Sequence, residues 1–239
     1  MITIACVLKY ERAGFYDSSY VLALARGVQA RLELPHRFLC LTDRPDDVSK
    51  EVIPHLGPKY DITILPLKQN LKGWWSKTEI WDPMYGKEFG RILYTDLDTF
   101  IVGSLNDIAG FDGDLCVLRD FYYPKAPSVP LVNFACGKMK KVWSTFQLNP
   151  GHWMTEGDKM IAPHFGDQIL VTGAKTLKVD TYQFFQDVFP GQVVSYKIHC
   201  RAEGKPPKGA RLVNCHGTPK PHEIKDPWFR REWLQLTRK

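Results

Sequence analysis

Two acidic residues interrupt an apolar stretch of the chain. Asp96 and Asp98 lie between the apolar residues 92–94 and a second apolar run at 100–102. In extended backbone, side chains at i and i+2 point to the same side, so these carboxylates repel each other unless a cation lies between them. Carboxylate oxygens bind hard divalent cations, and diphosphate oxygens commonly complete the coordination. The pair therefore predicts a divalent metal site; an exposed acidic loop is the alternative.

A histidine and a lysine near the C-terminus form a second candidate group. A predicted strand at 210–214 is followed by His216, and Lys220 comes four residues later, across a turn restricted by glycine and proline. This arrangement suits one metal ligand and one phosphate ligand. A nitrogen ligand beside two carboxylates favours Mn²⁺ over Mg²⁺.

An α/β layer is expected to position these residues. Apolar runs typical of strands lie at 2–8, 37–41 and 61–67, and a helix with one apolar face begins at Asp17 or Ser18. Alternating strands and helices predict a sheet with right-handed crossovers, which binds ligands at the carboxyl ends of its strands. Three candidate residues fall at such ends, although each also suits an ordinary polar loop: Lys9, Asp43 and Asp96.

Three further polar residues lie next to apolar sequence. Lys77 is among the tryptophans of a predicted helix at 73–81, from which it reaches either a phosphate or the solvent. Asn133 lies in a predicted strand, so its amide is either bonded to the backbone or presented to a ligand. Asp167 precedes an apolar run, which favours a helix N-cap that also binds hydroxyl groups if it faces a cleft.

The composition fits one globular domain. A chain of 239 residues that is 44% hydrophobic can bury a full-sized core, so we expect one domain over 1–239, with halves at 1–105 and 106–239. The net charge of +6 suits an anionic ligand such as a nucleotide diphosphate, but it does not establish a nucleic-acid partner. The six cysteines form no Cys-x-x-Cys pair, and no signal peptide or membrane-spanning run is recognised. We therefore expect a cytoplasmic protein with reduced thiols.

Two other classes of site compete with this interpretation. Residues 96–99 read Asp-Leu-Asp-Thr, which is similar to the signature of haloacid-dehalogenase-type phosphatases, in which one aspartate is the nucleophile. That family places the motif on its first strand, whereas several α/β elements precede it here. A structural zinc site is disfavoured because neighbouring side chains diverge in extended backbone; it would use His199, Cys200, Cys215 and His216.

Taken together, the motifs resemble those of GT-A-fold nucleotide-sugar glycosyltransferases. The resemblance is nearest to the glycogenin and bacterial galactosyltransferase-like family, with its small phage and bacterial relatives. It is carried by residues 94–99, 101–105, the strand of Asn133, 166–168 (Gly-Asp-Gln) and 216–221. It implies a single Rossmann-like α/β domain with a mixed central sheet, and a nucleotide-sugar donor whose nucleotide is uridine diphosphate.

The resemblance also implies three groups of site residues. The metal, Mn²⁺ or Mg²⁺, would be held by Asp96, Asp98 and His216. The donor would be bound by Lys9, Tyr10, Asp43, Lys77, Asn133 and Lys220. The reacting carbon would lie beside Asp167 and Gln168, with retention of the anomeric configuration. The tail departs from the family pattern, since its histidine and lysine are closer together than is usual.

The acceptor is the least determined part of this function. A saccharide or glycolipid is expected, since loops at 119–130 and 149–165 carry aromatic residues that can stack on sugars: Phe121, Tyr122, Tyr123 and Trp153. A hydroxylated nucleic-acid base is the alternative, because basic residues at 205–211 and in the C-terminal tail are interleaved with aromatic ones. A nucleotide-sugar-binding module without catalytic activity is the remaining class.

Overall fold

The protein is an α/β fold in the computed structural model, which describes residues 1–10 and 15–239. In these ranges the strands are β1 (Ile2–Leu8), β2 (His36–Thr42), β3 (Ile62–Pro66), β4 (Arg91–Thr95), β5 (Thr99–Ile101), β6 (Leu115–Arg119), β7 (Pro127–Phe134), β8 (Gln183–Phe184), β9 (Val193–Ser195) and β10 (Leu212–Asn214). The α-helices are α1 (Ser18–Arg31), α2 (Pro45–Val52), α3 (Pro83–Phe89), α4 (Asn106–Ala109), α5 (Lys140–Leu148), α6 (Pro150–Asp158), α7 (Ile169–Thr172), α8 (Phe185–Val188) and α9 (Pro227–Thr237). Tighter or wider helical turns are the 3₁₀ helices Ile53–His55, Gly73–Trp81, Gly166–Gln168, Val179–Thr181 and Pro221–Glu223, and the π-helix Tyr196–Cys200.

Seven strands form a mixed main sheet in the order β3-β2-β1-β4-β7-β6-β8. The first four of these run parallel, and β7 is antiparallel to both of its neighbours. A second sheet, in the order β5-β10-β9, joins the segment after the acidic pair to the C-terminal part of the chain. This topology confirms the predicted α/β fold with a mixed central sheet. It also brings the carboxyl ends of β1, β2 and β4 to one edge, where residues 9, 43 and 96 follow.

The central strand β1 is apolar throughout because both of its faces are covered, as is typical of parallel sheets. All seven of its residues are buried. One core takes Ile2, Ile4, Cys6 and Leu8, and the other takes Ala5 and Val7. Residues of α1 and α9 belong to the first core, and residues of the 3₁₀ helix Gly73–Trp81 belong to the second. The sheet edge that carries the polar residues is therefore held from both sides.

The loop expected at 119–130 is partly a strand, and that part of the prediction is wrong. β7 begins at Pro127 and includes Pro130. Proline lacks the N–H group that a ladder needs, so it is tolerated at the first residue of a strand or at an irregularity. Pro127 is the first residue, and Pro130 lies where the register between β6 and β7 shifts.

The loop expected at 149–165 is also partly regular, because α6 occupies Pro150–Asp158. Asn149 is the N-cap of this helix, and its side chain accepts a hydrogen bond from the backbone nitrogen of His152 at 3.1 Å. Asparagine followed by proline at the first helical position is a helix-start signal. The glycines of the segment obscured that signal, and the loop prediction is wrong here.

Two properties bear on where the protein works. All six cysteines are unpaired, and Cys136 is the exposed one. Within the described ranges, the helices are too short or too polar to cross a membrane.

Candidate active site

Lys77 binds two carboxylates at the carboxyl edge of the main sheet. The 3₁₀ helix Gly73–Trp81 places its Nζ atom 3.0 Å from both carboxylate oxygens of Asp96 and 3.1 Å from Oδ2 of Asp167. Burial alone would lower the pKa of Lys77, but Asp167 and Asp96 raise it, so the ammonium stays charged. Lys77 is 6% exposed, and the alternative of a surface lysine is therefore ruled out.

Asp167 is an ion-pair partner and not the helix cap that its sequence position suggested. It lies within the turn Gly166–Gln168, and α7, which follows, has no side-chain hydrogen bond at its N-cap. Burial raises the pKa of Asp167 to about 6, although Lys77 opposes the shift. The prediction of an N-cap is wrong because the inward-facing carboxylate is taken by Lys77.

Asp98 is bound by Lys220 and Tyr16. Lys220 Nζ lies 2.6 Å from Asp98 Oδ2, and the Tyr16 hydroxyl donates to the same oxygen at 2.9 Å. Burial, followed by the charge of Asp98, raises the pKa of Tyr16, so the phenol keeps the proton that it donates. The Lys220 ammonium also lies 5.0 Å from the ring centroid of Tyr16 and 5.4 Å from that of Phe15. These two aromatic residues therefore cover the ion pair.

His216 follows β10 and is next to Cys215, whose backbone nitrogen donates to the Asp98 carbonyl at 2.9 Å. Its Nε2 atom is 2.8 Å from Ser195 Oγ, and its ring stacks on Phe121 with centroids 5.5 Å apart. Burial, followed in size by Lys197, lowers the pKa of His216 to about 4. The imidazole is therefore neutral at neutral pH, which is the form that binds metals.

Lys9, Tyr10 and Asp43 come together at the ends of β1 and β2. The Asp43 carboxylate lies 3.1 Å from Lys9 Nζ and accepts a hydrogen bond from the Tyr10 backbone nitrogen at 3.1 Å. Two residues that the sequence did not indicate complete this corner. Asn70 accepts from Lys9 at 2.9 Å, and the Arg44 guanidinium lies 4.6 Å from the Tyr10 ring centroid. A flat ring beside donors and acceptors can both stack on and hydrogen-bond a nucleotide base.

Asp120 is a site residue that the sequence reasoning missed. Its Oδ1 atom accepts from the backbone nitrogens of Tyr122 and Tyr123 at 2.8 and 2.9 Å, and its Oδ2 atom accepts from Gln168 Nε2 at 3.2 Å. Gln168 Oε1 accepts from Ser128 Oγ at 2.8 Å, so the amide of Gln168 is fixed at both ends. An aspartate at the start of a compact loop was the available signal, because aspartate bonds backbone N–H groups two residues on.

The aromatic residues proposed to contact an acceptor fall into two groups. Tyr122 is 57% exposed and Tyr123 is 39% exposed, and Phe121 lies on His216. Trp153 packs against the second core, and its indole nitrogen donates to the Thr145 carbonyl at 3.0 Å. The structure thus brings residues 121–123 to the site, whereas Trp153 is partly buried against the second core.

The side chain of Asn133 is bonded within the protein and is not presented to a ligand. It is 0% exposed, its amide nitrogen donates to the Ile108 carbonyl at 2.9 Å, and its oxygen accepts from Arg91 at 3.0 Å. Its register partner on β4 is Leu93, whereas Leu131 is the residue of β7 that pairs beside the acidic motif. Asn133 is therefore not gathered with the other candidate residues.

The proposed metal ligands fit a divalent cation in their chemistry. Two carboxylates and a neutral imidazole are ligands that Mn²⁺ accepts. Within residues 1–10 and 15–239, no three His, Cys, Asp or Glu side chains lie close enough together to hold a metal. The four residues of the zinc alternative therefore do not form a zinc site in this structure. Asp96 and Asp98 are each paired with a lysine, and His216 is bonded to Ser195.

Comparison with solved structures identifies the fold as that of the GT-A glycosyltransferases. The chain is similar to the galactosyltransferase LgtC in complex with donor and acceptor sugar analogues, at 12% identity and a TM-score of 0.68, covering 98% of this chain and 95% of that one. It is similar to the glycosyltransferase GlyE of Streptococcus pneumoniae TIGR4, at 15% identity and a TM-score of 0.63, where 99% of this chain spans 60% of that chain. It is also similar to the bifunctional glycosyltransferase WbbM, at 7% identity and a TM-score of 0.67, where the whole chain spans 50% of that chain.

No protein-family model matches the chain, and no curated protein matches it in sequence. The structural likeness confirms the predicted GT-A fold. The phosphatase alternative requires the acidic motif on the first strand, whereas Asp96 follows β4, which is the fourth strand along the chain. The position of the motif therefore disfavours the phosphatase alternative.

Proposed function

We propose that this chain transfers a sugar from a uridine-diphosphate sugar to an acceptor hydroxyl, with a divalent metal and with retention of the anomeric configuration. One observation carries the proposal. On a GT-A fold, three carboxylates and two lysine ammonium groups meet at the sheet edge where ligands bind in α/β proteins: Asp96, Asp98, Asp167, Lys77 and Lys220. A site with both signs of charge in this position suits a metal diphosphate.

The metal would be held by Asp96, Asp98 and His216, with Mn²⁺ the preferred ion. When bound, it supplies positive charge that stabilises the leaving diphosphate. The two lysines would add to this effect from the protein itself, since ammonium groups held in a site of low water content stabilise developing negative charge strongly. Lys77 and Lys220 are 6% and 7% exposed, so little water competes with a phosphate oxygen for them.

The base would be held by Lys9, Tyr10 and Asp43, together with Arg44 and Asn70. The donor sugar would lie beside the turn Gly166–Gln168. There Gln168 is fixed by Ser128 and Asp120, so that its carbonyl oxygen is held in place without a charge. Asp167 is occupied by Lys77. With no carboxylate free to act as an inverting base in this turn, we favour retention.

The proposed acceptor is a saccharide or a glycolipid. The LgtC structure was obtained with an acceptor sugar analogue, and Tyr122 and Tyr123 offer exposed aromatic faces next to Asp120. Aromatic faces stack on the apolar side of sugar rings, and a nearby carboxylate binds sugar hydroxyls.

Release of free UDP from UDP-glucose and UDP-galactose in the presence of Mn²⁺ tests the proposal. The wild-type protein should release UDP slowly by hydrolysis and faster with a saccharide acceptor, and Asp98→Asn should release none above background. Asp114→Ala is the matched control, because Asp114 pairs with Lys138 at 2.7 Å on the surface. Binding of UDP without any release would indicate a binding module, and turnover of a simple phosphate monoester alone would indicate a phosphatase.

A further inference from the structure

Both carboxylates of the acidic motif are already engaged by lysines. Asp96 accepts from Lys77 at 3.0 Å through each oxygen, and Asp98 is 2.6 Å from Lys220. Asp98, Lys77 and Lys220 are each less than a tenth exposed. The Lys220–Asp98 pair is buried and the Lys77–Asp96 pair is partly buried. Together the lysines occupy both oxygens of Asp96 and the Oδ2 atom of Asp98, through which a divalent metal would bind.

A metal that entered alone would have to displace these lysines. A buried ammonium without a partner is strongly unfavourable, because neither water nor a carboxylate compensates for its lost hydration. Among the described residues, Lys77 would keep Asp167 as its partner, and Lys220 would keep the faces of Phe15 and Tyr16. A dication and two ammonium groups would also repel one another in a site of low dielectric.

A diphosphate changes this balance because it brings new negative oxygens. Lysine is a flexible point charge that can turn from a carboxylate to a phosphate without a backbone movement. With the diphosphate present, the lysines gain partners and the carboxylates become free for the metal. The metal is then paired with the carboxylates, and the lysines are paired with the diphosphate.

We propose that Lys77 and Lys220 act as internal counter-ions that block the acidic motif until a nucleoside diphosphate enters. Metal and donor then bind with strong positive coupling, and the coupling passes through the two lysines. This inference rests on the proposed function, since it requires a metal diphosphate as the ligand. It adds an order to the binding: little metal binds alone, and metal binds firmly together with the diphosphate.

Titration of Mn²⁺ into the protein, with free Mn²⁺ read from its electron paramagnetic resonance signal, tests the inference without an activity assay. The variant Lys220→Met should bind Mn²⁺ alone on the order of tenfold more tightly than the wild type, the size expected when a neighbouring charge at this distance is removed. In the presence of Mn²⁺, the same variant should bind UDP more weakly, because a phosphate partner is lost. This opposite response of the two ligands is the signature of a lysine that moves between them.

Two controls separate this effect from a general change of charge. Lys220→Arg keeps the cation and should not tighten Mn²⁺ binding. Lys138→Met removes an ammonium that lies 2.7 Å from Asp114 on the surface, outside the proposed site, and should leave the affinity for Mn²⁺ alone unchanged. Lys77→Met leaves the buried Asp167 and the partly buried Asp96 without a cation, so this variant is the one most prone to misfold. Lys220→Met therefore carries the test, and a thermal melt confirms that it is folded.

The outcomes are distinct. If Lys220→Met binds Mn²⁺ alone no more tightly than the wild type, the lysine does not block the motif and the inference is overturned. The inference is equally overturned if Lys138→Met tightens Mn²⁺ binding as much as Lys220→Met does. If the wild type binds no UDP even with saturating Mn²⁺, the proposed function itself fails and the inference falls with it.

Discussion

The placement of Asn133 leads to a prediction that separates a structural residue from a ligand-binding one. The substitution Asn133→Leu keeps a similar volume but removes both side-chain hydrogen bonds. The Ile108 carbonyl loses its donor at 2.9 Å, and Arg91 loses its acceptor at 3.0 Å. A buried group left unsatisfied costs about 1–3 kcal/mol, and the partly exposed Arg91 should contribute at the low end. We expect a loss of about 3 kcal/mol in the free energy of unfolding.

Urea denaturation measures this loss, and calorimetry with UDP and Mn²⁺ measures donor affinity on the same variant. The expected result is a clear destabilisation with an unchanged dissociation constant for UDP. Lys77→Gln is the contrasting variant, since its side chain lies in the site and its loss should weaken UDP binding. Unchanged stability of Asn133→Leu together with weakened UDP binding would refute the structural role that we assign.

Three more predictions follow from the site. Gly166→Ala should lose most activity and about 1–2 kcal/mol of stability, because Gly166 has φ +53° and an added Cβ would lie 2.6 Å from the Trp74 indole nitrogen. Enzyme kinetics and urea denaturation would measure these losses, and a variant with unchanged activity and stability would contradict the prediction. The anomeric configuration of the product, read by proton NMR, should match that of the donor, and an inverted product would refute retention. A gel shift with plain and hydroxymethylated DNA duplexes at low salt should show no complex, whereas a salt-sensitive complex would revive the nucleic-acid acceptor.

Much of the fold could be predicted because its signals are local. The apolar run of β1 was predicted with its observed bounds, and the cap of α1 at Asp17 was among the two expected starts. Loops are harder to predict, because glycine and proline both favour loops in a local pattern. Proline is nevertheless acceptable at the first residue of α6, at the first residue of β7 and at a register shift within β7. A local sequence pattern does not indicate which neighbouring strand or which helix cap will accommodate a proline.

The site was predictable where a residue directly follows a strand. Lys9, Asp43 and Asp96 fall at the same sheet edge because the strand order brings their strands together. The pairing of Lys77 with Asp96 and Asp167 could not be predicted, because it depends on how the 3₁₀ helix Gly73–Trp81 packs against the turn at Gly166–Gln168. The role of Asn133 could not be predicted either, because an asparagine can hydrogen-bond a buried backbone carbonyl as well as a ligand.

Substitution of Asp98 tests whether the acidic motif binds a metal nucleoside diphosphate. Asp98 is 6% exposed and lies 2.6 Å from Lys220, so it should matter to both metal and phosphate binding. Isothermal titration of UDP in the presence of Mn²⁺ should give clear binding to the wild type and to the surface control Asp114→Ala, and none to Asp98→Ala, with all three proteins equally folded by circular dichroism. Undiminished UDP affinity in a folded Asp98→Ala variant would show that the acidic motif does not bind the metal diphosphate.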